Sequence, residues 1–234
     1  MDPTPVTLSE AARSRTVSAW VSALGGSPQD IAKNEWLFVE RADLSAVVAA
    51  QVDGFGVLAA PGAALDLIRD APPRTLLDAD ALASLLPAGA DPIGSADLLF
   101  AEHGPRLGPL HAAAAGPGDA AAVRTQVRPA EWEESGVDQA KRLWTALTPE
   151  GTPAAVAGFQ PWHSELAQMA VLAGRGHRGS GFAYAAAALA IQEALAEGLV
   201  AQWRSRQGNE ASLGLAGRLG FTQLGVQAAV RLRS

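Results

Sequence analysis

A chain of 234 residues with 48% hydrophobic residues is long enough to bury a core unaided, as one large domain or two small ones. It has no cysteine, which excludes a disulfide framework, a thiolate nucleophile and a cysteine-ligated metal, and no metal is expected. A net charge of -6 argues against nucleic acid as the main partner, and no apolar run of about 18 residues is present to span a membrane. The start MDPTPVT is polar and unlike a secretory signal, so the expected location is cytoplasmic.

Thr7 and Glu10 have the spacing of a capping box, and Ala11, Val17, Trp20, Val21 and Leu24 then recur at helical spacing until Gly25-Gly26. Trp36 to Val39 is a short apolar run. Ala46 to Val52 and Phe55 to Ala59 flank Asp53-Gly54, which predicts a two-residue hairpin. Residues 63–70 and 78–86 predict short helices bracketed by prolines, and Leu98 to Ala101 a further strand. From His111 to Ala122 the chain has no large apolar side chain, which reads as an exposed connector or, from its four alanines, equally as the beginning of a helix, and a boundary is expected there. The division is then an α+β domain over 1–115 and a second domain over 120–234.

Beyond the connector, Val123 to Val127 predicts a strand and Pro129 the first turn of a short helix. Lys141 to Leu147 and Ala154 to Gln160 follow as two strands about the turn-rich 148–153. Glu165 to Gly198 reads as a buried strand, a glycine and arginine turn, and an alanine-rich helix that Gly198 ends in a left-handed conformation. Leu199 to Trp203 completes a strand, helix, strand crossover. One more helix and a strand pair from Thr222 to Leu232 close the order.

The turn is the stretch with chemistry. Backbone N–H groups freed by glycines at a helix N-terminus form a receptor for phosphate. A nucleotide P-loop needs Lys and Ser or Thr after its last glycine, but Gly181 precedes Phe182 and Ala183. Gly174, Gly176 and Gly179 spell a dinucleotide fingerprint, yet no carboxylate follows the second strand at the position that would hold the ribose.

Arg178, Gly181 and Ala183 resemble the Q/R-x-x-G-x-G/A signature of the GNAT superfamily of acetyl-CoA-dependent N-acetyltransferases. Asn209, Ser212, Gly220 and Phe221 are similar to that family's N-x-x-S and G-F segment, in the right order and at the right separation. The resemblance covers about residues 160–225. It implies a mixed central sheet with flanking helices over 120–234, and acetyl transfer from acetyl-CoA to an amine. It also implies a fork in the sheet, with Met169, Ala170 and Val171 offering backbone N–H groups to the pantetheine arm. Gly176, His177, Arg178, Gly179, Ser180, Gly181, Phe182 and Ala183 would hold the diphosphate, with Asn209 and Ser212 beside the coenzyme.

By the same resemblance Glu165 is placed as general base, against the alternative of a solvated strand-end carboxylate. His163, two positions away, shares its face if that stretch is extended. The family's frequent tyrosine acid is replaced by Ala216, which leaves Ser212 as a hydrogen-bond donor to the thiolate, against the alternative of a helix-start serine satisfying backbone, or water in its place. Glu131, Trp132 and Glu134 read either as an anionic, aromatic mouth for a small-molecule amine or as a solvated helix face. The alternative activity is a non-catalytic acyl-CoA-binding module. For residues 1–115 three roles stay open: a cap on the acceptor side, a homodimer contact, or a worn copy of the same fold.

Overall fold

The computed structural model describes residues 7–30, 32 and 35–233; the polar start, residues 1–6, lies outside them. The chain divides into two compact units, each α+β. One is built chiefly from Phe100–Trp203 and Ala211–Thr222, the other from Ser9–Leu99, Arg204–Glu210 and the stretch from Gln223 onward. Thus the division does not run once along the chain near 111–122. Two C-terminal stretches return to the N-terminal unit.

In the N-terminal unit, helix α1 (Glu10–Ala23) is capped by Ser9, whose Oγ accepts the Ala12 N–H at 3.2 Å, in place of the expected Thr7. Gly25, at φ 87°, ends it, with the Gly26 N–H donating to Val21 O at 2.9 Å. Strands β1 (Trp36–Glu40), β2 (Ala46–Val52) and β3 (Phe55–Ala60) follow. The β2–β3 hairpin forms at Asp53-Gly54 as expected, because both residues adopt positive φ, 51° and 83°. Short helices α2 (Gly62–Ile68), α3 (Pro73–Leu76) and α4 (Ala79–Ser84) lead to strand β4 (Asp91–Ala101), which starts seven residues before the predicted run.

The remaining strand of this unit comes from the far end of the chain. Residues Thr222–Arg231 form one ten-residue strand instead of the expected pair, and it runs antiparallel to β2 from Gly225↔Val52 to Arg231↔Ala46. The strand order here is β1, β3, β2, this C-terminal strand, then β4, with β1 parallel to β3. Val47, Leu58, Ile68, Leu82 and Val230 make its core.

In the C-terminal unit, strand β5 (Ala112–Ala114) lies inside the predicted connector, because Ala112 to Ala114 pair with the next strand. Helix α5 (Asp119–Arg124) replaces the strand predicted over 123–127. Val123 explains the difference: it is fully buried, packing with Val156 and Leu172 from a helix laid on the sheet. Helix α6 (Pro129–Ser135) then precedes strands β6 (Arg142–Leu147), β7 (Pro153–Trp162) and β8 (Leu166–Ala173). Helix α7 (Phe182–Ala196), strand β9 (Val200–Arg206) and helix α8 (Glu210–Arg218) complete the unit, and the C-terminal strand already described is β10. The order is β9, β8, β7, β6, β5, antiparallel except for the β8–β9 pair.

Both helices after β8 stop on glycine. Gly198 is left-handed at φ 79°, with the Leu199 N–H on Ala194 O at 3.2 Å. Gly220, at φ 88°, repeats the arrangement, with the Phe221 N–H on Ala216 O at 3.1 Å. This is the bond pattern that satisfies terminal helix carbonyls when the next residue has no Cβ penalty.

Candidate functional site

β8 and β9 pair through only three positions, Leu166↔Val200, Ala167↔Ala201 and Gln168↔Gln202. Past Gln168 the strand keeps its register with β7, from Phe159↔Met169 to Ala155↔Ala173, but has no registered partner on β9 among the described residues. The parallel pair therefore opens as a fork. Backbone polar groups alternate sides along a strand. Val200 N–H donates to Glu165 O at 3.0 Å and Gly174 N–H to Ala154 O at 2.9 Å, which fixes the alternation at both ends. With no register break between them, Met169, Val171 and Ala173 turn N–H and C=O into the fork. Ala170 turns its own toward β7, so of the three expected pantetheine donors two face the opening and Ala170 does not.

Two glutamines occupy the vertex. Gln202, 1% exposed, donates from Nε2 to Gln168 Oε1 at 2.7 Å, and Gln168 Nε2 donates to Met169 O at 3.1 Å. On the other arm Trp203, the first β9 residue past the paired stretch, donates its indole N–H to Ser212 Oγ at 2.9 Å and meets Phe221 edge-on at 5.5 Å. Ser212 thus stands at the fork with its hydroxyl oxygen already accepting one bond.

The loop from Gly174 to Gly181 opens with a single 3-10 turn, Arg175–His177. Gly179 and Gly181 take φ of 77° and 88°, which a side chain would resist, and a Cβ at Gly176 or Gly179 would meet no atom within 4 Å. No side chain caps α7, and its first intrahelical bond runs from Ala185 N–H to Gly181 O at 3.0 Å. The N–H groups of Phe182, Ala183 and Tyr184 precede that bond, at the positive end of a 15-residue helix. Ser180 is exposed, and His177 packs edge-on against Phe182 at 5.7 Å.

Charge at this loop is organised by one carboxylate. Glu131 Oε1 accepts from Arg178 Nη2 at 3.0 Å and Arg128 Nη2 at 3.2 Å; Oε2 accepts from the Arg128 N–H at 2.8 Å and Arg175 Nε at 3.4 Å. The Glu131 side chain is 16% exposed, against 67%, 52% and 49% for Arg128, Arg175 and Arg178. Arg128, by side chain and backbone, and then Arg178 hold its carboxyl well below the usual carboxylate range. Three guanidiniums around one carboxylate leave a local excess of two positive charges.

This geometry corrects two further expectations. Glu131 is bound by arginines, Trp132 is buried beneath Arg124 at 5.3 Å, and Glu134 is exposed, so the three form no common mouth for an amine. His163 and Ser164 have φ of 47° and 60° in the turn before β8, and the Glu165 N–H donates to Trp162 O at 3.3 Å. Glu165 and His163 are therefore turn residues that share no strand face, and His163 packs on Trp162 at 4.8 Å. The strand begins only at Leu166, three residues before the fork's first open position. Asn209 stands directly before α8, its N–H on Arg206 O at 3.0 Å.

Sequence reasoning missed Gln168, Gln202, Arg128 and Arg175. The x-R-x-x-R spacing of Arg175 and Arg178 was a legible hint of a doubly basic loop; the glutamine pair left no signal, since it is made across two strands. Among the described residues no group of three or more His, Asp or Glu is placed to hold a metal, and no helix is long and apolar enough to cross a membrane.

Residues 153–226, which contain β7, the fork, the loop and α8, match the model of the GNAT acetyltransferase family. No curated protein matches the chain. A putative acetyltransferase of the GNAT family from Novosphingobium aromaticivorans superposes with a TM-score of 0.51 at 20% identity, over 63% of this chain and 69% of that one. A GNAT-family acetyltransferase from Colwellia psychrerythraea gives 0.48 at 17% identity, over 66% of this chain and 61% of that one. A GCN5-related N-acetyltransferase from Kribbella flavida gives 0.48 at 17%, over 67% and 63%. The chain thus spans less than two thirds of the length of the last two. At such identities the first superposition speaks for the fold, and the family match for the segment that carries the fork and loop. Together they assign the fold as that of the GNAT acetyltransferases, and the segment 153–226 belongs to that superfamily.

Proposed function

We propose that the protein is an N-acetyltransferase that moves an acetyl group from acetyl-CoA directly to a primary amine of a small molecule. The observation that carries this is the fork: Met169 and Val171 turn backbone N–H groups into an opening where β9 no longer pairs with them, directly upstream of a basic glycine loop and an uncapped helix start. These features fit an acyl-CoA in order. Backbone groups of β8 would hold the pantetheine arm, and the N–H groups of α7 with Arg178 and Arg175 the diphosphate.

A thioester held there supplies an activated carbonyl. The residues of this chain contribute what an acyl transfer needs around it. N–H groups of the open β8 edge stabilise the negative charge that develops on the carbonyl oxygen. Ser212, oriented by the Trp203 indole, donates a hydrogen bond to the departing sulfur, and water supplies the proton that makes it a thiol. The amine is deprotonated by water or by Glu165, whose turn lies at the closed end of the fork.

The test is turnover. Incubation with acetyl-CoA and a panel of primary amines should release free coenzyme A thiol and the N-acetyl product. Arg178→Ala should weaken coenzyme A binding about tenfold, as loss of a charge-assisted bond implies. Unchanged affinity would remove the loop from the assignment. A second reading, a non-catalytic acyl-CoA-binding module, is favoured by Ala216, fully buried where the family often places a tyrosine acid. Tight acetyl-CoA binding with no transfer to any amine would select it.

A further inference from the structure

The carboxylate at the loop does more than cap a helix. Each loop arginine gives Glu131 one nitrogen, Nη2 of Arg178 and Nε of Arg175, which leaves the other nitrogens of both planar forks for a ligand. Both guanidiniums remain about half exposed while the carboxylate between them is nearly covered. A single negative charge tied to three positive ones fixes their directions without cancelling them.

We propose that Glu131 is a positioning residue for the diphosphate of the coenzyme: it holds Arg175 and Arg178 at the glycine loop with their outer edges presented to phosphate oxygens. The proposal rests on the reading that this loop takes an acyl-CoA. Its physical content is preorganisation. Long arginine side chains lose rotamer freedom when they clamp a ligand, and a protein that has already fixed them spends less of its binding energy on ordering. Helix α6 gains by the same contact, since the Glu131 carboxylate accepts the Arg128 N–H at 2.8 Å. The two roles are separable, because an amide oxygen can still accept that bond while it lacks the charge that ties two guanidiniums.

The experiment compares two acyl donors. Glu131→Gln is measured by calorimetry with coenzyme A, and kinetically with acetyl-CoA and with acetyl-pantetheine, which lacks the diphosphate. Coenzyme A affinity should fall about tenfold and KM for acetyl-CoA rise in step, with kcat unchanged. Acetyl-pantetheine kinetics should not change. Equal losses with both donors would mean general damage, and unchanged coenzyme A affinity would mean no positioning; either overturns the proposal. Glu131→Asp keeps the charge but withdraws it by one methylene, and the same donor-selective loss is expected, so the comparison survives if the glutamine variant does not fold. Failure of the wild-type chain to bind coenzyme A would sink the functional reading itself and this inference with it, an outcome distinct from binding that is indifferent to Glu131.

Discussion

Gly174 is where β8 ends and the loop begins, and its lack of a side chain has a specific reason. A Cβ there would lie 2.8 Å from Gln126 Cδ and 3.3 Å from Gln126 Cβ. That glutamine cannot simply swing away, because its Nε2 donates to Pro153 O at 2.9 Å and to Ala122 O at 3.3 Å, tying α5 to the start of β7. Gly174→Ala is therefore expected to destabilise the protein by about 1–3 kcal/mol, the cost of leaving buried polar partners unsatisfied or overpacking. Gly176→Ala, with open space around its Cβ, should leave stability near the wild type. Urea denaturation of both variants checks this, and equal midpoints would refute the assigned close approach. At this scale the sequence was half legible. The glycines of the loop announced themselves, whereas Gln126 looked like any polar residue until the fold brought it 48 positions along the chain to Gly174.

Among the elements, those whose ends are set by local chemistry were the legible ones. Asp53-Gly54, Gly198 and Gly220-Phe221 each work within a few residues, so their turns and caps follow from sequence alone. The strand predicted over Val123 to Val127 failed because two valines resemble β propensity, while burial of Val123 against Val156 and Leu172 decides for helix. The fork was expected only through family resemblance, and its vertex not at all. Gln202 donates there to Gln168 Oε1, and is almost wholly buried. Gln202→Leu should leave Gln168 Oε1 without that donor and cost about 1–3 kcal/mol, whereas the Gln168→Leu/Gln202→Leu pair should cost less than the sum of the single changes. A double-mutant cycle by thermal or urea unfolding measures the difference, and strict additivity would show that the pair does not act as a unit.

For the molecule as a whole, the order of the chain and the order of the core disagree, and this has a testable consequence. The composition of residues 111–122 suggested that 1–115 is a domain in its own right. Yet β10 lies against β2 through seven registered pairs, and Ala228 and Val230 are fully buried in the N-terminal unit's core beside Val47 and Leu58. Without those residues β2 would have an unpaired edge and the core a missing wall; Val230 alone contributes about 1.5–3 kcal/mol of apolar burial. A marginally stable unit does not tolerate that loss. A fragment ending at residue 115 is therefore expected to lack a cooperative unfolding transition and to aggregate through the bared β2 edge, while the full chain unfolds cooperatively. Adding a synthetic peptide spanning 222–233 should restore ordered structure to the fragment, visible as recovered β circular dichroism, because it supplies the absent strand. A fragment that folds cooperatively without the peptide would show that β10 is dispensable to this unit, and would return the boundary to the alanine-rich connector.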